Sequence, residues 1–473
     1  MLFKHSLCWL RRDLRLTDHR ALTEACKNSE KVTLVFVFDI TILSKLKDRN
    51  DRRVNFIYNS VCEIDQKLRK KGSALVILHG DPREIIPSFA KQISANAVFC
   101  NHDYEPLAKE RDKAIAQSLK LLNIAYHHFK DQVIFESLEV VNKSGEPFRR
   151  FTPYKNAWLK KLTKKDYFNF RPNLKRLTPK KHLKRFLKNW TLNDLSFQKT
   201  ELWLECGETA AEKRLYSFLK KINDYCDARD FPSIEGTSGL SVHLRFGTIS
   251  IRKLVRLAIK RNYEGSNTWL SELIWRDFYQ MILDRHPKVT TSTFQPQYNS
   301  IKWSGTDKFF RAWCFGVTGY PLIDAAMRHF NQTGWMHNRL RMIVASFLVK
   351  DLLVDWRKGE AYFSRFLLDF DLASNNGGWQ WSASTGCDAQ PWFRIFNPVT
   401  QSKRFDPEGR FIRSVIPELA SFSNKDIHFP FSTSPEIQEK AFCEVGKDYP
   451  KPIVEHNIQR HRALEILQKA SNK

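Results

Sequence analysis

The sequence predicts an α/β domain built on a doubly wound parallel sheet, followed by an all-helical domain. Two observations carry this. Apolar strand-like runs alternate with helical patterns through the first third of the chain, and from about residue 203 helical spacing takes over. At 473 residues the chain also exceeds one ordinary core, so more than one domain is expected.

In chain order the strand-like runs are Leu7–Leu10, Val32–Phe38, Ala74–Leu78 and Ala97–Cys100, with a weaker fifth near Val133–Phe135. Helical patterns separate them, among them Arg52–Lys71 and Pro82–Ile93. Apolar strands spaced by helices form a parallel sheet covered on both faces, here over residues 1–130. No glycine-rich fingerprint follows the first strand. Trp9-Leu10-Arg11-Arg12-Asp13 stands there, which argues against a dinucleotide held by this domain in the usual way. Residues 131–202 read as a connecting region with two basic runs, Lys160 to Lys165 and Arg171 to Lys188, a pattern common on solvated surface. Residues 203–473 form the helical part.

Within that part, Leu270, Leu273, Ile274, Phe278 and Met281 make an ordinary core stripe at helical spacing. The opposite face carries Trp269, Glu272, Trp275, Arg276 and Tyr279, a set suited to lining a cavity. The run Gly334 to Met342 shows the same split, with Trp335, Asn338, Arg341, Met342 and Ala345 on one side. Then comes Asp369-Phe370-Asp371-Leu372-Ala373-Ser374-Asn375-Asn376-Gly377-Gly378-Trp379-Gln380-Trp381. Two acids, two amides, a Gly-Gly break and two tryptophans read as a loop suited to an aromatic polar ligand.

The balance of 77 Lys+Arg against 51 Asp+Glu leaves +26, which points to a polyanionic partner. Nine scattered cysteines without a C-x-x-C pair argue against disulfides, zinc and iron–sulfur clusters, so no metal is expected. The strand-like run close to Met1 is too short and too charged for a signal peptide, and Met342–Val349 is far below a membrane span. A soluble, cytoplasmic protein is expected.

The segments Gly-Thr-Ser-Gly-Leu-Ser, Trp-Leu-Ser-Glu-Leu-Ile-Trp-Arg, Gly-Trp-Met-His-Asn-Arg-Leu-Arg-Met and Asn-Asn-Gly-Gly-Trp-Gln-Trp resemble the photolyase/cryptochrome family. So do Trp9-x-Arg11-Arg12-Asp13-Leu14-Arg15-x-x-Asp18 and Phe151-Thr152-Pro153-Tyr154. The similarity runs over essentially the whole chain, and is strongest to the class I members that split cyclobutane pyrimidine dimers.

The resemblance implies a U-shaped FAD in the helical domain and an antenna pigment near the α/β domain. By similarity Tyr225, Thr237, Ser238, Gly239, Leu240 and Ser241 contact the FAD phosphates and ribityl chain, near a helix start that suits a diphosphate. Trp269, Arg276, Trp335, Arg341, Asp369, Asp371 and Asn375 surround the rest. Asn375 matches the asparagine that faces flavin N5, where an amide oxygen can accept from the N5–H of reduced flavin. The implied reaction is light-driven: excited reduced FAD donates an electron to a dimer flipped out of the DNA, the ring opens, and the electron returns. Trp275 and Trp381 resemble the aromatic walls of the dimer, and Glu272, Asn338 and Met342 its polar and soft contacts, with Glu272 a hydrogen-bond donor to a thymine carbonyl. Arg229, Arg339, Gln401 and Lys403, with Arg276, are candidates for holding the DNA. Trp379, Trp356 and Trp303 resemble an electron-hopping chain that reduces FAD.

Two rivals belong to the same family. The (6-4) photolyases carry histidines where this chain has Asn338 and Met342, and need a protonated imidazole there. Light-receptor cryptochromes carry Asp or Cys at the position of Asn375. For the antenna, Asn101-His102-Asp103-Tyr104-Glu105 resembles a folate-contacting strip with Glu105 as the contact, while Asp39–Leu43 and Asp51–Val54 depart from the folate binders' pattern. Methenyltetrahydrofolate comes first, a deazaflavin second, no antenna third. DNA containing pyrimidine dimers is the expected partner, the protein a monomer without an obligate protein partner, associated with the nucleoid through DNA.

Overall fold

A computed structural model describes residues 1–472. The chain packs as two units, one made of Met1–Asn223 with Ser238–Arg285, the other of Asp224–Thr237 with the chain from His286 onward. The cuts fall at other places than the three sequence segments.

The first unit holds five parallel strands: β1 (Phe3–Leu10), β2 (Ser29–Asp39), β3 (Val76–Gly80), β4 (Ala97–Asn101) and β5 (Ala125–Phe129), in the order β3-β2-β1-β4-β5. The chain steps outward from β1 to β3, then crosses back to β4, so the sheet is doubly wound, as expected. Cys8 of β1 pairs with Leu34 on one side and Phe99 on the other. Helices cover both faces, and the inner stretches of β1, β2 and all of β4 are buried without alternation. Helices start where aspartate can cap them: Asp51 accepts from the Arg53 N–H ahead of Arg52–Arg69, and Asp81 from the Arg83 N–H ahead of Pro82–Gln92.

The fifth strand is not where the sequence put it. Residues 133–135 form a buried loop, and the Ile134 and Phe135 N–H groups donate to the Asp277 carboxylate at 3.0 and 3.3 Å instead of a ladder. Ala-Tyr-His-His-Phe at 125–129 takes the edge position; its side chains are only half-buried, so it lacks the apolar signature of its neighbours.

The turn after β1 is fastened by buried charge. Arg15 bonds Asp131 at 2.6 Å; Arg252 bonds Asp131 at 2.7 Å and Asp18 at 3.0 Å; Arg256 adds a 2.7 Å contact to Asp18. The two guanidiniums hold the Asp131 carboxyl well below the usual carboxylate range against the opposing cost of burial. Backbone joins the same place: Leu14 N–H donates to the Phe246 carbonyl, and a Cβ on Gly247 would collide with the Arg12 carbonyl.

The second unit is helical throughout. Trp313, Phe330, Phe347, Trp356, Phe363 and Trp379 share one core cluster, contributed by helices Asp307–Phe315, Pro321–Thr333, Trp356–Phe366 and Leu372–Ser382 and by one π-helical turn, Phe347–Asp351. That turn buries Lys350 completely; its Nζ donates to Ser384 Oγ at 2.9 Å and to the Arg394 carbonyl at 3.0 Å, and burial brings its pKa down to about 7. Asp324 accepts from Thr318 N–H and Oγ1, Gly319 N–H and Tyr449 O–H, tying the C-terminal stretch to the bundle. Among the described residues no helix is long and apolar enough to cross a membrane.

Asp131→Asn strands Arg15 and Arg252 without their shared counter-charge and is expected to cost about 3–5 kcal/mol in urea unfolding. The depressed carboxyl stabilises the fold above the unfolded value of about 4 and stops doing so as pH falls through the folded pKa, so the variant's deficit should shrink in acid. A constant deficit from neutral pH down to acid would contradict the assignment.

Candidate functional site

In the second unit, helix Asn338–Ser346 is capped by His337, whose Nδ1 accepts from the Arg339 N–H at 3.2 Å. A ring that accepts must be neutral, and burial pulls its pKa down to about 4. Trp335 lies ahead of this helix rather than on its face, because Pro321–Thr333 ends immediately before it. Asn338 and Met342 do share a side, Nδ2 lying 3.9 Å from Sδ. Arg339 points the other way: it bonds Asp230 at 2.6 Å and covers the Phe405 ring at 4.3 Å. Arg341 donates to the Met336 carbonyl and to Asp369, both at 2.8 Å.

Residues 372–382 form a helix, not the loop that the Gly-Gly pair suggested. Asp371 explains the difference: its carboxylate accepts the Ser374 N–H at 3.0 Å and caps the first turn, enough to start a helix that carries Gly377 and Gly378 inside it. Asp369 is buried, and its Oδ1 has no partner among the described residues. Asn375 Nδ2 donates to the Glu360 carbonyl at 3.3 Å; because a carbonyl only accepts, the amide oxygen must face the other way. Asn376 donates to the Val289 carbonyl and to the Glu360 carboxyl, which burial pushes up in pKa.

Trp379 and Trp356 are buried in the core cluster, and Trp303 packs half-buried against it. A Cβ on Gly359 would strike the Trp379 indole, so this close approach requires glycine. The Trp381 carbonyl accepts from Ser384 and Gln390 N–H groups, both at 3.2 Å, and its indole is half-buried. Tyr225 is buried with the Arg229 guanidinium 5.3 Å from its ring centre. Thr237 and Gln401 are half-buried and Lys403 exposed, the latter two on helix Pro398–Phe405.

In the first unit, helix Glu264–Arg285 presents the expected core stripe. Trp269 is buried against Phe218, while Glu272, Trp275, Arg276 and Tyr279 are half-buried. Phe151 lies flat on Trp275, centroids 3.7 Å apart and planes 8° from parallel, which fixes the indole. Arg276 donates to the Gln132 carbonyl. Ser238 Oγ accepts the Leu240 N–H at 3.4 Å; Gly239 and Leu240 are buried, Ser241 is exposed, and helix Ser241–Phe246 starts without a side-chain cap. Glu105 is not close to these residues in bonding terms: it accepts from Arg12 and Arg245, both at 2.8 Å.

Two features of the second unit fit a flat, nitrogen-rich ring: a buried carboxylate oxygen stands unpartnered at Asp369, and the amide oxygen of Asn375 is turned away from Glu360. Sequence reasoning missed Glu360, which orients both asparagines, and Asp230, which holds Arg339. It also missed Trp313, whose ring lies 6.0 Å from Trp379, and Asp277, which burial raises to a pKa of about 6. Each is separated from its partner by more than a helical turn in sequence, so periodicity gives no signal.

Comparison with known proteins adds independent evidence. Residues 6–198 match the model for DNA photolyase, and residues 269–469 that for the FAD binding domain of DNA photolyase. A deoxyribodipyrimidine photo-lyase of Alkalihalophilus pseudofirmus is 39% identical over 97% of each chain. Among solved structures, a bacterial class III photolyase from Agrobacterium tumefaciens superposes with a TM-score of 0.91 at 33% identity, covering 100% of this chain and 99% of that one. A cryptochrome of Synechocystis sp. PCC6803 gives 0.87 at 28% identity, covering 98% and 99%.

The His337 ring supplies a pH test. Unfolded, it takes a proton below about pH 6.5; native, it refuses one until about 4, so stability should fall on acidification across that window by on the order of 3 kcal/mol. His337→Asn keeps a capping acceptor and should flatten the loss, read from urea midpoints between pH 7.5 and about 4.5. An unchanged pH profile in the variant would place the titration elsewhere.

Proposed function

The chain belongs to the DNA photolyase family, and from that premise we propose that it repairs cyclobutane pyrimidine dimers in DNA by light-driven electron transfer. The observation that carries the proposal is Asn375, whose amide oxygen is turned away from the Glu360 carbonyl on a helix that Asp371 caps.

Bound FAD in its reduced form supplies light absorption and the transferable electron. Tyr225, Thr237, Ser238, Gly239, Leu240 and Ser241 would hold its diphosphate and ribityl chain, and Trp269, Arg276, Trp335, Arg341, Asp369, Asp371 and Asn375 its remaining parts. Arg341 and Asp369 neutralise each other at 2.8 Å, so they would hold the ring without adding net charge beside it. Asn375 Oδ1 would be free to accept a ring N–H, where a carboxylate would add negative charge.

A dimer must leave the base stack to be reached. Trp275, backed by Phe151, and Trp381 would supply the aromatic walls. Glu272 donates a hydrogen bond to a thymine carbonyl as charge builds there, with Asn338 and Met342 alongside. Arg229, Arg339, Gln401, Lys403 and Arg276 steady the DNA; Arg339 must share or exchange its Asp230 partner to do so. Trp379 and Trp356 in the core cluster, with Trp303 half-buried against it, would carry electrons toward bound FAD. We assign residues 1–130 to antenna binding, 131–202 to the connection and 203–473 to FAD and DNA. Methenyltetrahydrofolate at Glu105 is the first antenna choice, a deazaflavin the second and none the third. The protein is proposed as a cytoplasmic, nucleoid-associated monomer with no obligate protein partner.

Two observations weigh on the rivals. Asn338 and Met342 stand where (6-4) members carry histidines, and the neighbouring His337 is buried, neutral and committed to a backbone N–H, so neither supplies the protonated imidazole of (6-4) repair. Likeness to the Synechocystis cryptochrome favours a light receptor, against which Asn375 stands.

Reduced protein incubated with a dimer-containing oligonucleotide should restore the bases in blue light and not in the dark; equal outcomes in both would refute the proposal. Glu272→Gln, which keeps a donor, should split dimers faster per bound lesion than Glu272→Ala, by about tenfold; equal rates would remove that role. Trp379→Phe should lose light-driven reduction of oxidised flavin yet repair normally when reduced chemically, and normal photoreduction in it would sink the hopping chain.

A further inference from the structure

Between Lys160 and Lys188 the chain carries twelve lysines and arginines against one acid, Asp166, a net +11 within its total of +26. Asp166 is spent locally, accepting from Thr163 N–H and Oγ1 at 2.8 Å. Lys164, Lys165, Arg171, Lys175, Lys180, Lys181 and Lys184 are exposed and make no ion pair among the described residues, where the stretch's single pair is Lys188–Asp194 at 3.9 Å.

This is not a loose tether. Leu177 bridges Val32 alongside β2, Thr178 N–H donates to the Val32 carbonyl at 2.8 Å, and Ser73 Oγ donates to the Thr178 carbonyl at 2.7 Å. Lys180 N–H bonds the Gly72 carbonyl at 2.8 Å, and Leu183 is buried in the core of the sheet. The backbone is pinned while the cations face outward. A mobile linker would relax such crowding by spreading; a pinned one keeps its charges close, at a cost in self-repulsion that a polyanion relieves.

We propose that this segment is a second nucleic-acid surface, which grips the phosphates of undamaged duplex DNA without regard to sequence. The inference builds on the DNA-acting function above and adds to it a face for holding lesion-free DNA. Two rival partners fit less well. Single strands need exposed aromatic platforms, yet Phe186 turns into the core and Phe170 is covered by Arg20 and Arg252, leaving Phe168 exposed. Membrane surfaces need a long amphipathic helix, whereas the helix here, Lys180–Leu183, is one turn with its apolar residue facing inward.

The test is binding of the full-length protein to an undamaged duplex in the dark, titrated over salt. Gln at Lys164, Lys165, Lys180 and Lys181 should make log K against log salt shallower by about 2 or more, at about 0.9 for each phosphate no longer neutralised, and weaken low-salt binding at least about fivefold. Arg at the same four positions should keep the slope. Gln at Lys27, Lys91, Lys113 and Lys120, exposed lysines elsewhere in the unit, should shift it by less than about 0.5. No change from the first set, or equal change from both sets, overturns the proposal; so does an effect confined to single-stranded RNA or to phosphatidylglycerol vesicles. Because the ligand is lesion-free and the sample dark, a protein that fails to split dimers would refute the repair reading and leave this slope readable.

Discussion

Four buried charged groups, Arg15, Asp18, Asp131 and Arg252, hold the first unit in register. None could be left alone inside the protein, since an isolated buried charge costs several kcal/mol and these four neutralise one another in pairs. Their geometry sets the turn after β1 against helix Ile251–Arg261. Only Asn262 and Tyr263 separate that helix from Glu264–Arg285, and Asn262 ends the first in a left-handed turn at φ 50°. The rotation of the helix that carries Glu272, Trp275 and Arg276 is thereby referred back to a loop more than 250 residues earlier.

This bears on what could be read from the chain. The inner strands were legible because burial on both faces leaves continuous apolar runs, and the long helix was legible because one face is core. β5 was not, since an edge strand of half-buried histidines carries neither signal. Helix Leu372–Ser382 was hidden by its glycines, although Asp371 three residues before Ser374 is a capping signal strong enough to have been weighed against them. The motif from Trp9 to Asp18 could be matched to a family from sequence, but its physical work could not: Arg15 and Asp18 serve the buried charge array, and Asp13 accepts from the Arg11 N–H and the Asn101 amide. Partners such as Glu360 and Asp230 come from distant chain, and only folding brings them in.

Charge is also sorted by location. Cations that must be oriented are matched to acids: Arg341 to Asp369, Arg339 to Asp230, and Arg12 and Arg245 to Glu105. Among the described residues, the exposed cations of the basic stretch 160–188 are not, Lys188 beside Asp194 excepted. The chain therefore matches acids to cations where geometry matters and leaves a net +11 of its +26 on a stretch that needs density rather than aim.

The flat contact between Phe151 and Trp275 has an evolutionary corollary. Phe151 opens helix Phe151–Lys161, inside what looks from sequence like a spacer, yet it backs the indole of Trp275, which we propose as a wall for the dimer. Recombination that swapped residues 131–202 between relatives would therefore carry the backing of Trp275 with the connecting segment, and only donors bringing a planar ring at that point would leave the tryptophan standing at the same angle.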